Sequence, residues 1–411
     1  MKPMSIAVFA IVGFGAATSY ADDASTYRAA ATSRYRITGI HITSPAPGLT
    51  RTQLTVQIGD NALNRIHVTR INKPLGVLRN PVMLAGPFGF GVEFYEINDS
   101  GYTHSLAGKL AAEGYDVWVT DDRTTGTLAL ATCDTGAVDC SILSTWDLEA
   151  KVEDETFTRS IVGLFHPFQK PVITGAVGGA IAAVATVNAH PNDYAGLLSY
   201  QGAVTSNDPA VKAYNGAFCG LLTSLQQAGV AFDASSAPLI ALSQAAQSNP
   251  NGLAPASLGL PPGLSNLQAL LLVTTVHADS PQSPTPTWVT VRGDFQAGTL
   301  TYASLNELFG FNPLYTFFLP VATFKDTLCQ LAGTETTYSS NLHSFRGDVL
   351  FYGSEFAFGP LGADNIALFS SAHSKQAINV PNRGELDIIF NRDRETLTDP
   401  VLLGFLERVF H

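Results

Sequence analysis

The chain has 411 residues, 45% of them apolar and only 14% charged, with 34 acidic against 23 basic side chains and a net charge of −11. That length suffices for one large core plus an insertion, and the acidic balance, with no basic cluster, argues against nucleic acid and anionic membrane surfaces as partners. The first segment reads as an export signal: Lys2 gives a positive start, Ile6 to Ala17 is apolar with small residues, and Ser19-Tyr20-Ala21 fits a small-x-small cleavage site. An apolar run of this length is too short for a membrane span, which takes about 20 residues, and no later segment reads as transmembrane. The expected organisation is a signal peptide at 1–21, a small polar and disordered stretch at 22–33, a first core part at 34–204, a helical cap at 205–345 and a second core part at 346–411.

Period-2 runs at 36–43, 52–58 and 65–69, separated by Pro/Gly and Gly/Asp/Asn turns, predict antiparallel strands. His41 and His67 fall within them and read as solvated strand residues. Pro81 to Leu84 is a buried-type strand running into Ala85-Gly86-Pro87-Phe88-Gly89-Phe90-Gly91. A helical stretch at 105–113 leads into a strand at 114–119 and then Asp121-Asp122-Arg123. Residues 147–165 have amphipathic helical spacing. Val172 to Thr174 is a strand, followed by a glycine turn, an alanine-rich helix at 180–188 and a strand at 197–200. Strand–helix alternation after an antiparallel lead-in predicts an α/β fold with a mostly parallel sheet covered on both faces.

From about 205 to 345, helical stretches such as 266–276 and 305–331 alternate with Pro/Gly/Ser-rich segments at 249–264 and 280–287. The pattern reads as an inserted cap whose apolar residues include Leu270 to Val273, Phe309, Phe311, Tyr315, Phe317, Phe318 and Leu319. Strands at 348–352 and 377–380 and a last helix near 400–410 complete the core. The four cysteines, even in number and in an exported chain, favour the disulfides Cys133–Cys140 and Cys219–Cys329 out of three possible pairings. No His/Cys spacing suggests a metal site, and no cofactor is expected.

Four linked segments in order carry a resemblance: the strand and glycine-rich loop at 81–91, residues 105–123, residues 170–191 and residues 384–395. Together they resemble the capped, esterase/lipase-like branch of the α/β-hydrolase superfamily, over about 75–410. The resemblance implies a Ser–His–acid triad, with the serine lifted on a sharp G-x-S-x-G turn. Here the turn reads Gly175-Ala176-Val177-Gly178-Gly179, so Val177 holds the nucleophile position. The histidine position falls on Glu385, and the acid position on Phe356, with Glu355 one residue early. The usual His-Gly before the oxyanion loop is Ala85-Gly86. Backbone N–H groups near Gly86 and at Gly178 are the remaining candidates for holding an oxygen or anion.

Relocated machinery would draw on other residues. Ser199 lies in a strand and reads as a packed polar group, and Asp208 reads as a helix start. His373 reads as a surface loop residue, while His104, His166 and His190 look peripheral. The expectation is therefore a protein that binds a hydrophobic small molecule or a partner under its cap without hydrolysis. The alternatives are an esterase or lipase acting on an acyl ester with displaced residues, and a carboxylate-based hydrolase or lyase in which Glu355 and Glu385 converge.

Overall fold

A computed structural model describes residues 34–73, 80–125, 140–233, 237–276, 285, 287–311 and 319–411; the expected leader and polar segment at 1–33 lie outside the described residues. Nine strands form one sheet: β1 (Tyr35–Thr43), β2 (Thr50–Ile58), β3 (Arg65–Asn72), β4 (Pro81–Ala85), β5 (Asp116–Thr120), β6 (Val172–Ala176), β7 (Gly196–Tyr200), β8 (Asp348–Ser354) and β9 (Lys375–Val380). Their spatial order is β1-β2-β3-β5-β4-β6-β7-β8-β9. β1, β2 and β3 pair antiparallel, as does β3 with β5, and every pair from β5 to β9 is parallel. Interior strands β4, β5, β6, β7 and β8 are buried along their whole length, as expected where helices cover both faces.

The helices include α1 (Glu93–Glu96), α2 (Leu106–Ala112), α3 (Leu148–Phe165), α4 (Gly178–Ala189), α5 (Pro209–Gln227), α6 (Ala237–Ser248), α7 (Asn266–Thr275), α8 (Leu305–Phe311), α9 (Val321–Ala332) and α10 (Asp399–Phe410), with short helices also at Gly362–Ala367 and Arg394–Leu397. Ser105 caps α2 by accepting from the N–H of Gly108, and Asp147 caps α3 by accepting from that of Ala150. α3 and α4 cover one face, over Met83, Trp118, Ile173 and Val349. α2 and α10 cover the other, over Val82, Leu84, Val117 and Leu350.

Between β7 and β8 the chain makes α5 to α9. The helical stretch expected at 305–331 is broken: α8 ends at Phe311, Leu319–Pro320 pairs with Phe232–Asp233, and α9 starts after Pro320, whose fixed φ suits a helix entry. Cys219 on α5 and Cys329 on α9 are joined as expected, with Cα atoms 4.9 Å apart. Cys140 is also disulfide-bonded, but its expected partner Cys133 lies outside the described residues, as do Tyr315, Phe317 and Phe318. The α5/α9 pair is tied to the start of α3, where Asp326 accepts from the N–H of Leu148 at 3.2 Å and Thr323 donates to the carbonyl of Trp146 at 2.6 Å. Leu242 of α6 and Leu270 and Leu271 of α7 instead join Phe90 and Phe94 in the cluster on the α2 side. Among the described residues no helix is long and apolar enough to cross a membrane.

Candidate functional site

β6 turns into α4 at Val177, which has φ 54° and ψ −122°. That backbone is rare for any residue with a Cβ and rarer for a β-branched one. It persists because both flanks are locked. The N–H of Val177 donates to the Tyr200 carbonyl at 2.9 Å, and its carbonyl accepts from Ala180 and Ile181. A Cβ on Gly175 would come within 2.4 Å of the Gly179 backbone, and one on Gly179 within 2.2 Å of the Ala85 carbonyl oxygen. Both glycines are therefore required by close approach, as in an active nucleophile turn. The structure thus keeps the strained geometry and places a half-buried isopropyl group at its apex.

The expected oxygen-binding donors fare differently. The Gly86 N–H already donates to the Thr120 carbonyl at 2.7 Å, which corrects its expected role. Pro87 has no N–H. Gly89 and Val92 donate to the carboxylates of Asp122 and Asp121, and Phe90 to the Pro87 carbonyl. The first-turn N–H of Gly178 has no partner among the described residues, but the Phe88 ring packs on that glycine: a Cβ there would fall 2.4 Å from the ring. Phe88 is 8% exposed and meets Phe324 of α9 edge-on at 6.0 Å, with Lys151 over its ring at 4.8 Å. The Phe88 ring thus lies against Gly178, with Phe324 of α9 and Lys151 of α3 also packed on it.

Behind it lies the loop after β5. Lys151 pairs with buried Asp122. Burial works to raise the Asp122 carboxyl, but Lys151 and Thr124 outweigh it and hold it below its ordinary value. Tyr95 from α1 bridges β4 and β6, donating to the Ala85 carbonyl at 2.6 Å and accepting from the Ala176 N–H at 3.0 Å. It secures the strand that carries the turn.

The loops after β8 and β9, where the acid and histidine positions were expected, are held by Gln201, a buried residue with φ 51° just after β7. Its amide oxygen accepts from the N–H groups of Ser354 and Phe358, and its amide nitrogen donates to the Glu385 carbonyl at 2.9 Å. An uncharged side chain therefore couples the loops after β8 and β9. Phe356, at the acid position, is half-buried with Arg292 over its ring at 4.7 Å. Glu355 is exposed and accepts from the Asn382 N–H at 2.7 Å, so it does not converge with Glu385.

Glu385 is 4% exposed, and burial pushes its carboxyl up to about 8. The Trp288 indole is near enough to favour the charged form, yet its Nε1 is buried without completing a hydrogen bond. Arg383, the neighbouring cation, pairs with Asp393 instead, at 2.6 Å. Asp387 accepts from the N–H groups of Gly384 and Arg292 and braces the same loop. The segment bearing Trp288 is stitched down: Val289 donates to the Phe356 carbonyl, and Glu385 and Leu386 donate to the carbonyls of Val289 and Thr290.

The other candidate residues are not at the turn's apex. Ser199 is buried and donates to the Gly202 carbonyl at 2.9 Å, and Asp208 caps α5 by accepting from Ala210. His373 is a surface residue beside Asp348, and His104 pairs with Glu395. His166 lies at the far end of the sheet from the turn, buried there with Nε2 at 2.7 Å from Asp116 at the start of β5, which Arg70 also clamps. Burial lowers the pKa of His190. His41 is exposed as expected, but His67 is half-buried against Asp121 at 3.3 Å, which corrects its reading as solvated. Strand alternation placed it correctly on a face, without showing that an acid from the next loop backs that face. Phe88, Gln201 and Trp288 were missed; only the crowding of glycines and aromatics at 86–95 hinted at a packed plug. Among the described residues no group of three or more His, Cys, Asp or Glu side chains is placed to hold a metal.

No protein-family model matches the chain, and no curated protein does. Solved structures do. A candidate lipase from Sulfolobus solfataricus superposes with a TM-score of 0.58 at 15% identity, over 90% of this chain and 99% of its own. A highly thermostable carboxyl esterase from Bacillus coagulans, in complex with glycerol, superposes with a TM-score of 0.52 at 14% identity, over 88% and 99%. The chain has the α/β-hydrolase fold, with a mostly parallel sheet and antiparallel N-terminal strands.

Proposed function

We propose that this protein binds an apolar ligand in the space above its β6–α4 turn and does not hydrolyse it. The observation that carries this reading is the turn itself: the strained backbone is intact, while Val177 occupies its apex and Phe88 covers Gly178. Acyl transfer needs an oxygen or sulfur nucleophile with a base in reach, and a chain without both forfeits several orders of magnitude in rate. Binding needs only a shaped, largely apolar space with a few polar groups. Leu270, Leu271, Val291 and Leu386 share one apolar cluster with Val177 and Phe309, which supports an acyl-like or similarly oily occupant. That the neighbouring structures are named lipase and carboxyl esterase supports the same ligand class. The disulfide between α5 and α9 supports residence in an oxidising compartment, in keeping with the leader-like start.

Purified protein is expected to take no label from a fluorophosphonate probe and to turn over no p-nitrophenyl ester, beside a control lipase that does both. Medium-chain apolar compounds are expected to raise its melting temperature; saturation at about 100 times the dissociation constant corresponds to about 2.7 kcal/mol. A covalent acyl adduct seen by mass spectrometry would overturn this reading in favour of a hydrolase with relocated residues.

A further inference from the structure

Two polar groups lie side by side with their hydrogen bonding incomplete. The Glu385 carboxyl, on a residue only 4% exposed, has the Trp288 indole as its polar side-chain neighbour, and the indole Nε1 is buried without a completed hydrogen bond. A buried donor left unmade costs about 1–3 kcal/mol, so an indole N–H that does not complete its bond to the carboxyl beside it has capacity for a further acceptor. Both lie on backbone that is firmly held. Trp288 precedes the Val289–Thr290 stretch bonded to the Glu385 loop, and Gln201 fixes the Glu385 carbonyl from below.

We propose that Trp288 and Glu385 form a two-donor site for the carbonyl oxygen of a neutral, apolar ligand, the indole N–H and the carboxyl O–H both donating to it. The inference rests on the ligand-binding reading above and deepens it by naming the ligand class: ketones, aldehydes and esters with an apolar tail.

The charge balance around the carboxyl agrees with a donor role. Burial is the cause of its raised pKa, and no cation offsets it. On its own loop Arg383 is engaged by Asp393, and Asp387 by two backbone N–H groups. From the loop after β8, Glu355 is turned out to Asn382; from the insertion, Arg292 stacks on Phe356; from β7 comes only the neutral amide of Gln201. Glu385 is thus protonated at neutral pH and can donate. The usual oxygen-binding donors of the fold are not needed: Gly86 is bonded elsewhere and Gly178 lies under Phe88.

The test uses the full chain with its disulfides and measures displacement of the neutral dye N-phenyl-1-naphthylamine by 2-undecanone and by undecane. The ketone is expected to compete about tenfold better than the hydrocarbon at pH 6.5. Its affinity is expected to fall as pH rises past about 8, where the carboxyl ionises. Glu385→Gln keeps a donor of the same shape, so it should bind the ketone within roughly threefold of wild type and lose the pH dependence. Glu385→Ala and Trp288→Phe should each remove most of the preference for the ketone while still binding the dye. With carbon-13 at the ketone carbonyl, the infrared stretch should shift to lower frequency on binding to wild type and shift less in either of those variants. Equal competition by ketone and undecane, or affinity that climbs with pH, would overturn the site while leaving the apolar space in place; a water bridging the two groups gives that first result. Failure of the dye to bind at all would bring down the ligand-binding reading and the site with it.

Discussion

The turn after β6 and the loop after β5 sit on neighbouring parts of the same sheet edge and handle polar chemistry in opposite ways. At the turn, Val177 stands at the apex, the Phe88 ring packs on Gly178, Phe356 is half-buried, and burial raises the Glu385 carboxyl to about 8. In the loop after β5, Asp121, Asp122 and Arg123 are each no more than 5% exposed, and each is fully partnered. Asp122 meets Lys151, Thr124 and the Gly89 N–H; Asp121 meets His67 and the Val92 N–H; Arg123 grips Asp154 through two bonds and donates to the Ala150 carbonyl. The chain therefore buries charge readily where it can be satisfied. The apex instead presents the apolar Val177 and Phe88, and the charged loop next door locks the segment carrying Phe88.

Breaking the charged loop should have the largest effect. Arg123→Met leaves Asp154 buried and strips the Tyr35–Asp154 contact of its cation. Removing one partner of a buried pair typically costs about 3–5 kcal/mol. Urea denaturation reads this directly, and a loss under about 1 kcal/mol would mean that the network is not what holds the loop.

Much of the scaffold was legible in the chain order, and the state of the site much less so. The glycines at 175 and 179 fixed the turn because close approach demands them, and continuous apolar runs such as 81–84 could only be buried parallel strands. The helix expected at 305–331 failed because Pro320 outweighed the apolar pattern. The expectation that Val177, Glu385 and Phe356 stand at triad positions uses only position along the chain. The Phe88 plug, the Gln201 clamp and the Trp288–Glu385 pair were not legible. Each is a contact between residues dozens to well over a hundred positions apart, and no local periodicity records which of two distant side chains will meet.

A second effect compares one buried acid from each region. Glu155 of α3 and Glu385 are both raised by burial to about 8; Glu155 receives a hydrogen bond from Thr120 at 2.9 Å, whereas the group beside Glu385 is the Trp288 indole. In the unfolded chain both titrate near 4.5. Between those values the unfolded state has released a proton that the folded state retains, so each acid makes stability fall as pH rises. That contribution is fully present below about 4.5 and is lost by about 8. Glu155→Gln and Glu385→Gln should each flatten their own share of the decline, of the order of 3 kcal/mol between pH 5 and 8. A variant that follows wild type at every pH would show that its acid ionises freely in the fold.

The smallest expected change lies at the apex of the turn. Deleting the half-buried side chain in Val177→Gly forfeits about 1–2 kcal/mol of burial, while a backbone at φ 54° releases about 1–3 kcal/mol when the Cβ is removed. The two nearly cancel, so the variant should unfold within about 1 kcal/mol of wild type, far less than a valine-to-glycine change inside α4, where no strain is relieved. Val177→Ser keeps the Cβ and most of the strain, and adds the missing hydroxyl. On the proposed reading it should remain unreactive toward a fluorophosphonate, because a serine there would lack a base: a neutral Glu385 carboxyl cannot serve as one. If the serine variant becomes labelled, a base is within reach of the apex after all, and the contrast between an emptied turn and a charged loop dissolves.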